Sequence, residues 1–163
     1  MGQIGGRGRR QKKTAKFIIG RKDKADFPLL GLSDVDVKID TGAYTSSIHC
    51  RNISLIDRRA QPSVRFSLFD PRHKVYNPRE LVLPVVGSRS VKSSFGHKED
   101  RIVIRTNIRL FGEVFEIDLS LADRGDMNFP ILLGRQLLRQ GFLVDINRYN
   151  LSYRAKLKGR IKK

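Results

Sequence analysis

The stretch Asp34-Val35-Asp36-Val37-Lys38-Ile39-Asp40-Thr41-Gly42-Ala43 decides how this chain is read. Val35, Val37 and Ile39 alternate with Asp36, Lys38 and Asp40, the pattern of a strand with one apolar face. The strand runs into Asp-Thr-Gly, then a small residue, then the polar run Thr45-Ser46-Ser47. Far downstream, Pro130-Ile131-Leu132-Leu133 is an apolar run closed by Gly134 and Arg135. Gln136-Leu137-Leu138-Arg139-Gln140 then supplies good helix formers, and Gly141 fits a helix stop. An aspartate at the end of a strand is also an ordinary turn residue. The tripeptide alone therefore does not separate a turn from a functional carboxylate.

Working outward, the body reads as short strands. Val64, Phe66 and Leu68 alternate with Arg65 and Ser67, and Phe115, Ile117, Leu119 and Leu121 alternate with Glu116, Asp118 and Ser120. Segments 16–20, 80–86, 101–105, 108–111, 142–146 and 149–154 are strand-like as well, punctuated by Asn107, Gly112, Gly125 and Asn147. One helix, over residues 135–140, is predicted. Many short strands with a single late helix imply a mainly β, closed or sandwiched domain. A chain of 163 residues is about one domain.

Lys and Arg number 33 against 16 Asp and Glu, a net charge of +17. Residues 1–16 hold Arg7, Arg9, Arg10, Lys12, Lys13 and Lys16 with no acid, and residues 154–163 hold Arg154, Lys156, Lys158, Arg160, Lys162 and Lys163 with none. The expected organisation is a basic, glycine-rich disordered arm over 1–16, a domain over 17–153 and a basic tail over 154–163. Such ends neutralise phosphates, attract acidic peptides or simply solubilise. No aromatic residue interleaves with them, and no sequence-reading nucleic-acid motif is present. No apolar run approaches the roughly 18 residues of a membrane helix. No secretory signal is recognised, and Cys50 stands alone, so a cytoplasmic protein without disulfides is expected.

These segments resemble the retropepsins, the aspartic peptidases of retroviral type. More closely, the chain is similar to a bacterial retropepsin-like family that includes the RimB-type proteins and often carries the label "ATP-dependent zinc protease". The matching stretches are Ile19-Gly20-Arg21, residues 38–49, Ser94-Phe95-Gly96-His97, residues 101–106, residues 127–138 and Phe142-Leu143-Val144-Asp145. The resemblance implies a closed β-barrel of retropepsin type. It also implies a homodimer, because one Asp-Thr-Gly supplies half a site and Asp40 must meet its counterpart on a twofold axis. Two carboxylates would then share a proton around one water. In this family pattern Thr41 ties the two loops across the axis, Gly42 lets backbone approach substrate, and Ala43 leaves room beside the carboxylate. Leu132 and Leu133 pack beneath the loop, and Gly134 permits a tight helix start.

Viral members carry acids after the tripeptide that pair with the arginine after the downstream glycine. Here Tyr44 and Thr45 stand there, so Arg135 lacks an acidic partner and the groove loses negative charge. The RimB-type relatives are associated with a ligase that adds glutamates to a ribosomal protein tail. Acidic or polyglutamylated tails are therefore the implied substrate, with ribosome or RNA contact through the basic ends as a further expectation. A flap is expected over residues 87–98, where Ser94, Phe95, Gly96 and His97 are candidate substrate contacts alongside Tyr44 and Thr45; a plain hairpin loop is the alternative. Material near 50–80, with Pro62, Pro71 and Pro78, looks like an addition to a minimal protomer. His49, His73 and His97 form no metal-binding spacing, and no phosphate loop is present, so neither zinc nor ATP is expected. Cys50 reads as a buried thiol. A non-catalytic binding module for acidic tails, or a ribosome- or RNA-associated protein, remains open beside the peptidase.

Overall fold

A computed structural model describes residues 15–56, 60–69, 77–92, 95–123 and 128–159. Its strands are β1 (Phe17–Ile19), β2 (Lys22–Phe27), β3 (Leu32–Ile39), β4 (Ser46–Ile56), β5 (Ser63–Leu68), β6 (Asn77–Pro84), β7 (Gly87–Lys92), β8 (Lys98–Leu110), β9 (Glu113–Ala122), β10 (Ile131–Leu133) and β11 (Phe142–Val144). Two α-helices, α1 (Arg135–Leu138) and α2 (Leu151–Leu157), and a 3-10 turn at Pro28–Leu30 complete the described elements.

The main sheet runs β10-β3-β2-β8-β9-β4 and returns to β10, which pairs with β4 as well as β3. The result is a closed, mainly β, six-stranded barrel. Closure removes the free edges that an open sheet would leave. Beyond β4 the sheet continues through β5 and β6, so the stretch that looked like an addition extends the barrel wall. The alternating apolar residues fill the interior: Phe27, Val37, Ile48, Phe66, Ile104, Ile108, Leu119, Ile131 and Leu133 are fully buried. Segments 101–105 and 108–111, read as separate strands, fall on the single long β8, which ends at Leu110. Phe111 and Gly112, both at positive φ, turn it directly into β9.

Charged or polar residues hid three elements. β2 reads Lys-Asp-Lys-Ala-Asp-Phe, with Asp23 taking an inward seat at 1% exposure. Its carboxylate accepts backbone N–H bonds from Lys24 (2.8 Å), Ser152 (2.9 Å) and Tyr153 (3.1 Å). β4 opens on Ser46-Ser47 and is buried without alternation over Ser46–Cys50, as befits a strand covered on both faces.

The third element corrects the sequence reading. Residues 149–154 are not a strand, and residues 135–140 do not hold the only helix, because α2 begins at Leu151. Asn150 turns the chain at positive φ and donates its N–H to Lys22 O at 2.8 Å. Asp23 then takes the first orphan amides of the helix, a tertiary cap that no local window contains. The body therefore extends through Leu157, past the boundary expected at residue 153. Residues 1–14 of the arm and 160–163 of the tail lie outside the described residues, as do His73 and Pro71. Among the described residues no helix is long and apolar enough to cross a membrane.

Candidate active site

β3 delivers Asp40 to the mouth of the barrel. β10 runs parallel beside it, with Val37 opposite Ile131 and Ile39 opposite Leu133. The ladder carries one step further, as Asp40 N donates to Leu133 O at 2.9 Å. The chain then turns: Ala43 N donates to Asp40 O at 3.3 Å, and Gly42 N donates to the Asp40 carboxylate at 3.0 Å. That second bond fixes one carboxylate oxygen and leaves the side chain half-buried. Among the described residues Asp40 makes no ion pair.

The segments singled out in the sequence, 94 positions apart, are locked together here. Arg135 N and Gln136 N, the first amides of α1, donate to Ala43 O and Tyr44 O, each at 2.9 Å. Gly134 N donates to Ser46 Oγ at 2.9 Å. Arg135, expected to lack an acidic partner, donates to Thr41 O at 2.9 Å, with its guanidinium carbon 5.9 Å from the Tyr44 ring centre. Leu133 is fully buried beneath the loop, while Leu132 lines the open side. The glycine matters for a reason other than helix geometry. Gly134 has ordinary extended backbone, but a Cβ there would meet Tyr44 O at 2.6 Å and Ala43 O at 2.9 Å.

Asp40 opens into a cavity of about 440 Å³. Gly42, Ala43, Tyr44 and Thr45 form one side, Ser47, Ser120 and Arg101 the wall of β4, β9 and β8, and Arg89 to Lys92 of β7 the cover. β7 pairs with β8 from Gly87–Val103 to Lys92–Lys98. The expected flap loop is therefore a β-hairpin. Its strand β7 covers the cavity, whereas the candidate contacts Phe95, Gly96 and His97 are not among the lining residues, and Phe95 is 90% exposed. Ser94 lies outside the described residues. Arg89 and Lys92 fall within the expected flap, whereas sequence reasoning missed Arg101, because nothing local marks a strand arginine as facing a site.

α1 is braced from the other side. Asp118 accepts Arg105 Nε at 2.8 Å and Nη2 at 3.2 Å, and also Gln136 Nε2 at 3.1 Å. The bonds from Arg105 chiefly hold the Asp118 carboxyl below its usual range. A carboxyl depressed by folding adds stability above its unfolded pKa, and that stability is lost as pH falls through the folded value. The unfolding temperature is thus expected to drop on acidification below about pH 4, and Asp118→Asn to flatten that part of the profile. Thermal melts from pH 6 down to pH 2 check this; an unchanged profile would remove Asp118 from the bracing.

Among the described residues no cluster of His, Cys, Asp and Glu is arranged to hold a metal ion. His49 is buried, with Nδ1 3.3 Å from Ala122 O. Burial pushes the Cys50 thiol up to about 12, which keeps it a protonated core group.

Comparison with known proteins places this geometry. Residues 18–155 match the model of the RimB-like family, described as retropepsin-like aspartic endopeptidase RimB. A probable α-L-glutamate ligase of Shewanella pealeana is 40% identical over 134 residues, which is 80% of this chain and 28% of that protein. One from Desulfotalea psychrophila is 37% identical over 135 residues, again 80% and 28%. The chain thus spans little more than a quarter of these curated relatives. A crystal structure of a Legionella pneumophila protein of unknown function superposes with a TM-score of 0.70 at 27% identity, covering 85% of this chain and 99% of that one. With the Asp40 loop seated on Gly134 and Arg135 in a closed barrel, and with nearly the whole described body matched, the chain belongs to the RimB-like family of retropepsin-like aspartic endopeptidases.

Proposed function

We propose that the chain is an aspartic peptidase that works as a homodimer, with Asp40 of each protomer forming the catalytic dyad, and that it hydrolyses glutamate-rich protein tails. The observation that carries this reading is the Asp40 carboxylate, fixed by Gly42 N, free of any ion pair among the described residues, and facing an open cavity. In such a dyad the ionised carboxylate removes a proton from water as the water oxygen adds to the peptide carbonyl carbon. The protonated carboxyl donates to the carbonyl oxygen. Proton transfer to the amide nitrogen then lets the C–N bond break, leaving a free acid and a free amine.

The substrate class follows from charge. Arg89, Lys92 and Arg101 line the same cavity, and Asp40 is its one acidic lining residue among the described residues. A cationic cavity of this kind raises the local concentration of anionic peptide. The relatives' name, α-L-glutamate ligase, points to the same chemistry, because a hydrolase of glutamyl chains would oppose such a ligase. A binding module for acidic tails is the second reading, favoured by the single carboxylate each protomer supplies.

Incubation with peptides ending in consecutive glutamates, beside glutamine and lysine counterparts, separates the two. Mass spectrometry is expected to find shortened glutamate peptides only, and light scattering to find a dimer at the working concentration. Retention without cleavage by a demonstrable dimer would leave the binding module.

A further inference from the structure

Ile104, Thr106, Ile108 and Leu110 of β8 are buried on one face of that strand, so Arg101 projects from the other. It is nonetheless almost withdrawn from solvent, at 8% exposure. Its Nε is buried with no hydrogen-bond partner, and Nη2 reaches Glu99 only at 3.4 Å, while the Glu99 side chain is 64% exposed. A guanidinium withdrawn from water and this poorly matched is unfavourable in isolation. The geometry is that of a fork awaiting a carboxylate. Arg101 lines the cavity that Asp40 enters, and Ser47 and Ser120 stand on the same wall, paired across β4 and β9. Both are buried hydroxyl residues.

We infer that Arg101 is the specificity-determining residue of the cavity and that it binds a side-chain carboxylate of the substrate, with Ser47 and Ser120 as neighbouring donors. The inference rests on the proposed action on acidic tails and names the group that reads them. It distinguishes Arg101 from Arg89 and Lys92, which are exposed on β7. Exposed cations attract through screened charge and lose their effect in salt, whereas a buried fork does not. Glutamate is therefore expected to be preferred over glutamine even in concentrated salt.

The test measures binding of a fluorescent tetraglutamyl peptide and its tetraglutaminyl counterpart by anisotropy, in low and in high salt. The full chain is used, carrying Asp40→Asn so that turnover does not intervene, with and without Arg101→Met. The glutamate preference is expected to be about tenfold to a hundredfold. In high salt Arg101→Met is expected to bring the two peptides to near-equal affinity, and Arg101→Lys to give an intermediate ratio. Equal affinities in the chain with Arg101 intact overturn the inference, and that comparison holds even if Arg101→Met does not fold. A full preference retained in Arg101→Met or in Arg101→Lys at high salt overturns it as well. A preference that depends on Arg101 in a chain whose unsubstituted form cleaves no peptide leaves this inference standing and removes the peptidase reading instead.

Discussion

Asp40→Asn is expected to cut hydrolysis of a glutamate-rich peptide by about a thousandfold while leaving the fold in place. The substitution is nearly isosteric. An asparagine side-chain oxygen still accepts the 3.0 Å bond from Gly42 N, and the backbone bond from Asp40 N to Leu133 O is untouched. A change in stability within about 0.5 kcal/mol is expected, as for substitutions that disturb no buried network. What disappears is the proton-accepting carboxylate. The proposed dyad makes a sharper demand than loss in a pure variant. If each active site draws one aspartate from each of two protomers, a dimer with the substitution in one protomer is as inactive as a dimer with it in both. Mixed assemblies, unfolded and refolded together, should then lose activity roughly as the square of the wild-type fraction. A decline in simple proportion means that each protomer works alone, and the shared dyad is wrong.

How far the sequence revealed all this depended on which force set each residue's place. β3 was legible because Val35, Val37 and Ile39 are apolar and their neighbours are not, so burial repeats with the strand period. The link from Asp40 to Gly134 was legible because two separate segments each had an unusual local pattern. β2 was not legible, because its inward position 23 is a carboxylate whose burial is compensated by amides from α2, 129 and 130 residues away. Helix α2 was missed for the same reason read from the other end. Its cap sits on another strand, and Leu151 and Tyr153 alone look like alternation. Arg101 shows the limit most clearly. In sequence it is one more basic residue in an apolar stretch, like Arg105 and Arg109. The register of β8 against β9, and of β9 against β4, sets it on the wall with Ser120 and Ser47. Register is a long-range property of the folded sheet.

Gly134→Ala is expected to damage both stability and catalysis, and it tests whether the Asp40 loop is held by close approach and not by glycine's conformational freedom. At φ −94° and ψ −179° the backbone of Gly134 suits alanine, so no strain arises from the dihedrals themselves. The obstacle is the added methyl, which would lie 2.6 Å from Tyr44 O, 2.9 Å from Ala43 O and 2.9 Å from Tyr44 C. These atoms are backbone and cannot rotate aside. The two oxygens also accept the N–H groups of Arg135 and Gln136, so moving them away stretches the two bonds that seat α1 on the Asp40 loop. Overpacking of this kind costs about 2–3 kcal/mol. For a chain of 163 residues that lowers the unfolding temperature by roughly 5–10 °C. Loss of kcat should exceed what the unfolded fraction explains, because Thr41, held by the Arg135 guanidinium, moves with α1 and displaces the loop bearing Asp40. Thermal melts and kinetics well below the melting point separate the two effects. A variant with unchanged melting and turnover would show that the loop tolerates separation from the helix, and that β10 and the Gly42 N–H position the Asp40 carboxylate without α1.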